Sequence, residues 1–361
     1  MRTFSKLTAF VAAAAALGLT AAACSGNSSA STTSASTTSS DTSHCKQASQ
    51  NSSVVALPGY QVCLFAAATS KAFHPDDVRV VGNQVWIAWQ NGSAKDGSTT
   101  KPSTVGLYTT GGKLMKSWSV IGHADGMRMD PMTHVMWVTA NEDAKPRLYT
   151  ISPSSSTATT YTVPTTAWGG GLDDIEFING AAYISASNPT LNSAGKNPAP
   201  AIVKVTLSGT KAVLTPALPG EAKASSLNPP VTSTTLTLTD PDSMSTDPQG
   251  DLVFASQGDS YLMFIHGIGT AARTVKYVTV GTQIDDTIWP TSSNGCVLAA
   301  DNNSGVFSIC SDIWVPSTPI SSSPNDAGVI NFIGTLSLSS GQLTPFVVGM
   351  GNPHGMAFLP K

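Results

Sequence analysis

The chain has 361 residues, a formal net charge of −3 and only 11% charged side chains. That balance speaks against a nucleic-acid binder, because the sequence holds no basic patch and no basic run interleaved with aromatics. Little charge combined with abundant Ser, Thr, Gly and Pro suits an exported all-β protein with many turns.

Residues 1–23 read as an export signal. Arg2 and Lys6 form a positive n-region, Leu7 to Ala23 an apolar stretch, and Ala21, Ala22 and Ala23 are small residues ahead of Cys24. An uncleaved anchor helix is the rival reading, since the apolar run could cross a bilayer in part. The segment resembles a bacterial lipobox, with Ala21 where a leucine is usual. The resemblance implies a lipid on Cys24 and a membrane-anchored protein facing outside the cytoplasm; plain secretion with a free Cys24 is the alternative. Residues 24–53 hold few large apolar side chains, cannot offset the entropy of ordering, and are expected to form a Ser/Thr-rich tether. Residues 54–361 remain for the folded domain.

Beyond Cys24 the cysteines are Cys45, Cys63, Cys296 and Cys310. An even number in an oxidising compartment suggests disulfides. CVLAA and VFSIC flank the turn DNNSG, so Cys296 and Cys310 fall opposite each other across a hairpin, within bonding reach. Cys45–Cys63 would then pin the tether to the domain. Four buried thiols is the other reading, and no CxxC or HxxxH spacing points to zinc.

An internal repeat dominates the rest. Six segments carry a short acidic or histidine-bearing turn into an apolar strand: PDDVRV from Pro75, ADGMRM from Ala124, LDDIEF from Leu172, PDSMST from Pro241, DDTIWP from Asp285 and PHGMAF from Pro353. Alignment puts Asp76, Asp125, Asp173, Asp242, Asp286 and His354 in one column. A second strand follows in five of them (VWIAW, MWVTA, YISAS, LVFAS and CVLAA), then a third (GLYTT, RLYTI, AIVKV, YLMFI and GVFSI). About four strands per 40–50 residues is one propeller blade. Two longer intervals, Pro189 to Leu236 and Ser311 to Asn325, read as inserted loops. The last repeat holds one strand, whose open edge needs a cover. Strand-like VVALPGYQVCLFA from Val54 can provide it. The expected fold is therefore all-β: a six-bladed β-propeller closed by N-terminal strands pairing with the C-terminal strand.

PHGMAF at Pro353 and DPQGDLVFAS at Asp247 resemble NHL-type repeats and the blades of SMP-30/gluconolactonase-like propellers. The resemblance covers most of 54–361 and implies architecture; such propellers host lactonases, lyases, scaffolds and sensors.

The aligned column should ring one mouth of the central channel, with His74, His123 and Asp240 close by. Crowded carboxylates must take up protons, pair with amides or bind a cation. A divalent metal held among Asp125, Asp173, Asp242, Asp286 and His354 is one reading, Ca²⁺ first because the donors are hard oxygens, a transition ion if His354 joins. The resemblance implies a channel metal as well, although the Glu and Asn ligands of those lactonases have no residue-by-residue match; Glu176 lies three residues past the column. The other reading is that each aspartate caps a turn. The double acids Asp76-Asp77, Asp173-Asp174 and Asp285-Asp286 allow both, one acid capping while the other faces the channel. Trp86, Trp89, Trp137, Trp168 and Trp289 read as blade packing, Trp168 and Trp289 beside the rim.

No G-x-S-x-G, P-loop or H-E-x-x-H motif occurs. The leading functional expectation is a membrane-tethered module binding a small molecule, glycan or protein at the channel or loop face. The alternative is a metal-dependent hydrolase, lactonase- or esterase-like, with His354 or Asp173 as catalytic candidates. A quinone-dependent redox enzyme ranks third, for want of a basic cluster to hold the cofactor.

Overall fold

The structure is a computed structural model that describes residues 53–325, 328 and 330–361. The export signal, Cys24, Cys45 and nearly all of the tether lie outside the described residues. Within them the chain is almost entirely β, with one 3₁₀ turn at Gln257–Asp259. No described helix is long and apolar enough to cross a membrane.

Six sheets form the six blades. Blade 1 runs outward as Pro75–Val81, Gln84–Trp89, Pro102–Thr109 and Leu114–Ile121. Blade 2 repeats this with Ala124–Met129, Met136–Ala140, Arg147–Ile151 and Thr159–Tyr161. The inner strands of blades 3 to 6 are Ile175–Ile178, Pro241–Thr246, Thr287–Ile288 and Pro353–Pro360.

The apolar residues make six clusters, each between two neighbouring blades. Both faces of every sheet are therefore buried, which is why the second strands read as continuous apolar runs. Trp86 of blade 1 shows the packing: fully buried, it stacks on Trp118 at 5.1 Å and lies in the cluster shared with Met127 and Val138 of blade 2. Each such side chain contributes roughly 1.5–3 kcal/mol. With the apolar surface spent between blades, the axis is left to polar groups.

Closure goes through a whole blade rather than a direct pair. The C-terminal strand Pro353–Pro360 is innermost in blade 6, the N-terminal strand Gln61–Ala67 is outermost, and the hairpin Gly295–Asp301/Gly305–Ser311 lies between them. CVLAA and GVFSI thus belong to blade 6, not to the repeat that precedes them. The second strand of blade 5 is instead Ile320–Ser323, inside an interval expected to be a loop. Its serines, Ser321 to Ser323, are fully buried, so no apolar pattern marks it. The interval Pro189 to Leu236 is likewise mostly strand. It supplies Pro200–Ser208 and Lys211–Pro219 to blade 3, and a hairpin, Glu221–Ser226 with Ser233–Thr237, that extends blade 4.

Cys296 and Cys310 are direct register partners and disulfide-bonded. Cys63 is also disulfide-bonded, while Cys45, its expected partner, is outside the described residues.

Candidate functional site: an acidic two-tier channel

Consecutive residues of a flat strand point to opposite faces, yet both acids of each pair line the channel. A β-bulge accounts for this. In blade 1 the ladder skips between Pro75 and Val78, and in blades 3 and 5 the pairs Asp173-Asp174 and Asp285-Asp286 each hydrogen-bond a single residue opposite, Ser185 and Ser322, so both acids turn toward the axis.

The acids form two tiers. Asp77, Asp174 and Asp286, from blades 1, 3 and 5, make the inner one. Each reaches across to the next blade and accepts a backbone N–H there: Asp77 from Met127 at 2.6 Å, Asp174 from Met244 at 2.8 Å, Asp286 from Met356 at 2.6 Å. The acid pairs of blades 3 and 1 in turn lie tight against the blade before them. A Cβ on Gly126 would lie 2.3 Å from Asp174 Cα, and one on Gly355 would lie 2.7 Å from Asp77 Cα. Blades 2 and 6 carry glycine there, and blade 4 carries Ser243.

All three acids converge on Arg79, at 2.9 Å for Asp77, 2.7 Å for Asp174 and 3.2 Å for Asp286. Its Nε donates to the Met127 carbonyl at 2.9 Å. Burial works against the guanidinium's charge, but the three acids outweigh it and hold Arg79 firmly protonated. Burial raises Asp77 well above the usual carboxylate range and Asp286 to about 7, despite Arg79.

The outer tier is Asp76, Asp125, Asp173, Asp242, Asp285 and His354. Sequence alignment put Asp286 here; the structure moves it one place inward and seats Asp285 instead. The reason is Thr287, which takes the position that an apolar residue fills in other blades. It is buried there because its hydroxyl pairs with Ser321 Oγ at 2.7 Å. His354 Nδ1 lies 2.9 Å from Asp285 Oδ2 and 3.4 Å from Asp76 Oδ1. Burial pushes Asp285 upward, but the bond and charge of His354 prevail and hold it low. Nothing comparable offsets burial at Asp125, Asp173 and Asp242, which are raised well above their ordinary range, further so by neighbouring carboxylates, Glu142 among them.

Two residues complete the outer tier that the repeat did not single out as ligands. Glu142 follows the second strand of blade 2, and Lys95 comes from the loop after the second strand of blade 1; their charges meet at 2.5 Å. Burial disfavours both ions, and their mutual attraction overrides it. His123 is buried beside them, and burial holds its ring neutral against Glu142 and Asp76. The donor atoms of His123, Asp125 and Glu142 all lie within 4.8 Å of one another. Their signal in the sequence is H-x-D leading into an inner strand with Glu142 just past its neighbour, and only the register joins the two.

Other candidates lie apart. Glu176 pairs with Arg128 at 2.9 Å. His74 bonds the Asn302 carbonyl at 2.9 Å, and Asp240 accepts from the Gly258 amide. Trp289 lines a cavity with Arg79 and Arg128, apart from the acidic lining where it was expected.

The acids and their partners enclose a cavity of ≈ 30 Å³, lined by eight aspartates and Glu142 against Arg79, Lys95 and His354. Asp125 Oδ2, Asp173 Oδ2 and His123 Nε2 are buried without a hydrogen-bond partner among the described residues. Such a lining fits a cation: desolvated lone pairs are costly when left unmet, and a positive ion satisfies several together.

No protein-family model and no curated protein matches the chain. Among solved structures, it is similar to the periplasmic gluconolactonase PpgL of Pseudomonas aeruginosa (9% identity, 79% of this chain and 88% of that one, TM-score 0.45). It is similar to a virginiamycin B lyase from Staphylococcus aureus (12%, 63% and 78%, 0.38) and to a protein of unknown function from Bacteroides caccae (9%, 84% and 89%, 0.43). At these identities the likenesses carry no inference about chemistry.

Proposed function

We propose that this protein is an extracytoplasmic β-propeller, tethered to a membrane through Cys24, that binds an oxygen-rich small molecule through a divalent cation held in the outer tier of its channel. The observation that carries the reading is the pair of unpartnered, buried oxygens on Asp125 and Asp173. A cavity of ≈ 30 Å³ takes an ion or a water, not an organic molecule. The ligand therefore meets the ion from the mouth, where its hydroxyl, carboxylate or carbonyl oxygens complete the coordination. Lys95, half exposed beside Glu142, is placed to contact an anionic ligand from the same side.

Calorimetric titration of the purified protein with sugar acids, lactones and short glycans tests this. Binding of at least one of them is expected with a divalent cation and lost with chelator. Equal binding in both conditions would rule out the cation's role.

The second reading is a hydrolase of lactones or esters. The observation that favours it is the Asp285–His354 pair at 2.9 Å in the same tier. A bound cation would polarise a carbonyl, and this pair could hold or pass a proton. Turnover of a lactone in the same titrations selects this reading; binding without turnover selects the first.

A further inference from the structure

We propose that the cation sits on His123, Asp125 and Glu142, to one side of the ring, and that this seat selects a borderline transition ion such as Zn²⁺ or Co²⁺ over Ca²⁺ and Mg²⁺. The inference rests on the cation dependence proposed above and specifies its site.

His123 decides the chemistry. Its Nδ1 lies 2.7 Å from the Ser93 carbonyl oxygen. A carbonyl can only accept, so Nδ1 carries the proton and Nε2 presents a bare lone pair. The residue is 5% exposed, and Nε2 has no hydrogen-bond partner among the described residues. A histidine whose far nitrogen is fixed by a backbone carbonyl, with the near one turned toward carboxylates, has the arrangement of a metal ligand and its outer-shell support. Asp125 Oδ2 is also unpartnered, and the one ion pair of Glu142 among the described residues is with Lys95. The three donor atoms lie within 4.8 Å of one another, close enough for one cation to join them.

A single blade supplies all three donors. His123 and Asp125 stand two residues apart at the start of the inner strand of blade 2, and Glu142 follows the neighbouring strand, whose Ala140 pairs with Ala124. Asn141 binds the two segments together: its side chain accepts the His123 N–H at 2.9 Å, and its own N–H donates to the His123 carbonyl at 2.8 Å. The seat is thus set by sheet register. An imidazole nitrogen with two carboxylates suits borderline ions, whereas Ca²⁺ and Mg²⁺ favour oxygen alone.

Lys95 follows from the same geometry. Its ammonium neutralises Glu142 on a half-exposed side chain that can swing into solvent. It competes with the incoming ion, so removing it tightens binding.

Cobalt tests the seat, because Co²⁺ reports its ligands in visible absorption. The purified full chain, cleared of metal, is expected to take one equivalent of Co²⁺, displaced by Zn²⁺, with Ca²⁺ far weaker by calorimetry. His123→Gln is expected to weaken Co²⁺ binding by about a hundredfold or more and to change the spectrum, while Lys95→Gln tightens it about tenfold. Glu142→Gln gives the same readout should His123→Gln fail to fold. Binding of Ca²⁺ without Co²⁺, or Co²⁺ binding unchanged in both ligand variants, overturns this seat and leaves the proposed function standing. Binding of no divalent cation overturns both.

Discussion

Replacing Arg79 with methionine is expected to lower the midpoint of thermal unfolding by roughly 10 °C at pH 7.5. The guanidinium is the hub of the inner tier, touching Asp77, Asp174 and Asp286 at 2.7–3.2 Å with nearly no solvent access. Those acids come from alternate blades, and each is also tied to the blade that follows it. Removing the hub leaves three carboxylates buried together without a counter-charge, and breaking a buried ion pair from one side costs about 3–5 kcal/mol. That is a large share of the roughly 5–15 kcal/mol that keeps a domain folded. Arg79→Lys keeps the charge but loses the fork that reaches three acids and a carbonyl, so it should fall in between. The loss should shrink at pH 5, where Asp77 and Asp286, raised by burial, take up protons. A methionine variant as stable as the parent at pH 7.5 would mean the inner tier is neutral and needs no hub.

The second large effect concerns pH. In chelator, stability is expected to fall as pH rises from about 4 to about 7. Asp286 titrates near 3.8 when unfolded and at about 7 in place, and Asp77, Asp125, Asp173 and Asp242 are shifted in the same direction, all through burial. Between the two values the unfolded chain has released a proton that the folded chain keeps. Stability is therefore full below the unfolded value and is lost as pH climbs through the folded one. Glu142 and Asp285, held low by Lys95 and His354, act oppositely and weaken the fold only at more acid pH. Urea unfolding should show a net loss of about 2–4 kcal/mol between pH 5 and pH 8 in chelator, much of it recovered with a saturating divalent cation. Stability that rises steadily over that range in chelator would contradict the account.

The repeat made the inner strands readable, because an acidic or histidine-bearing turn leads into the inner strand of every blade. It also drew attention to the channel acids. What it could not show was the bulge, which turns neighbouring residues to one side and splits a single column into two tiers with different work. The inner-tier acids cap backbone amides and hold Arg79, whereas Asp125 and Asp173 keep open oxygens. Asp286 sits one residue deeper than the aligned column because Thr287, polar in sequence, fills an apolar position once Ser321 satisfies its hydroxyl. The strand Ile320–Ser323 was invisible for a related reason, since buried serines carry no apolar signal. The Gly295–Ser311 hairpin is legible in the sequence as a hairpin but not as part of blade 6, because periodicity reports strands and not their neighbours. In the sequence His123 stands two residues before the column, while Glu142 merely follows a second strand. Joining them required the pairing of Ala124 with Ala140, a contact that no local pattern encodes.

The central claim is that the channel holds a cation at a defined place. Anomalous diffraction from crystals of the purified protein grown with Co²⁺ or Zn²⁺ tests it most directly. The account predicts a single strong peak bounded by His123 Nε2 and the carboxylates of Asp125 and Glu142, with Lys95 moved away from Glu142. A well-ordered channel with no peak at saturating metal, and Lys95 still paired to Glu142, would contradict it.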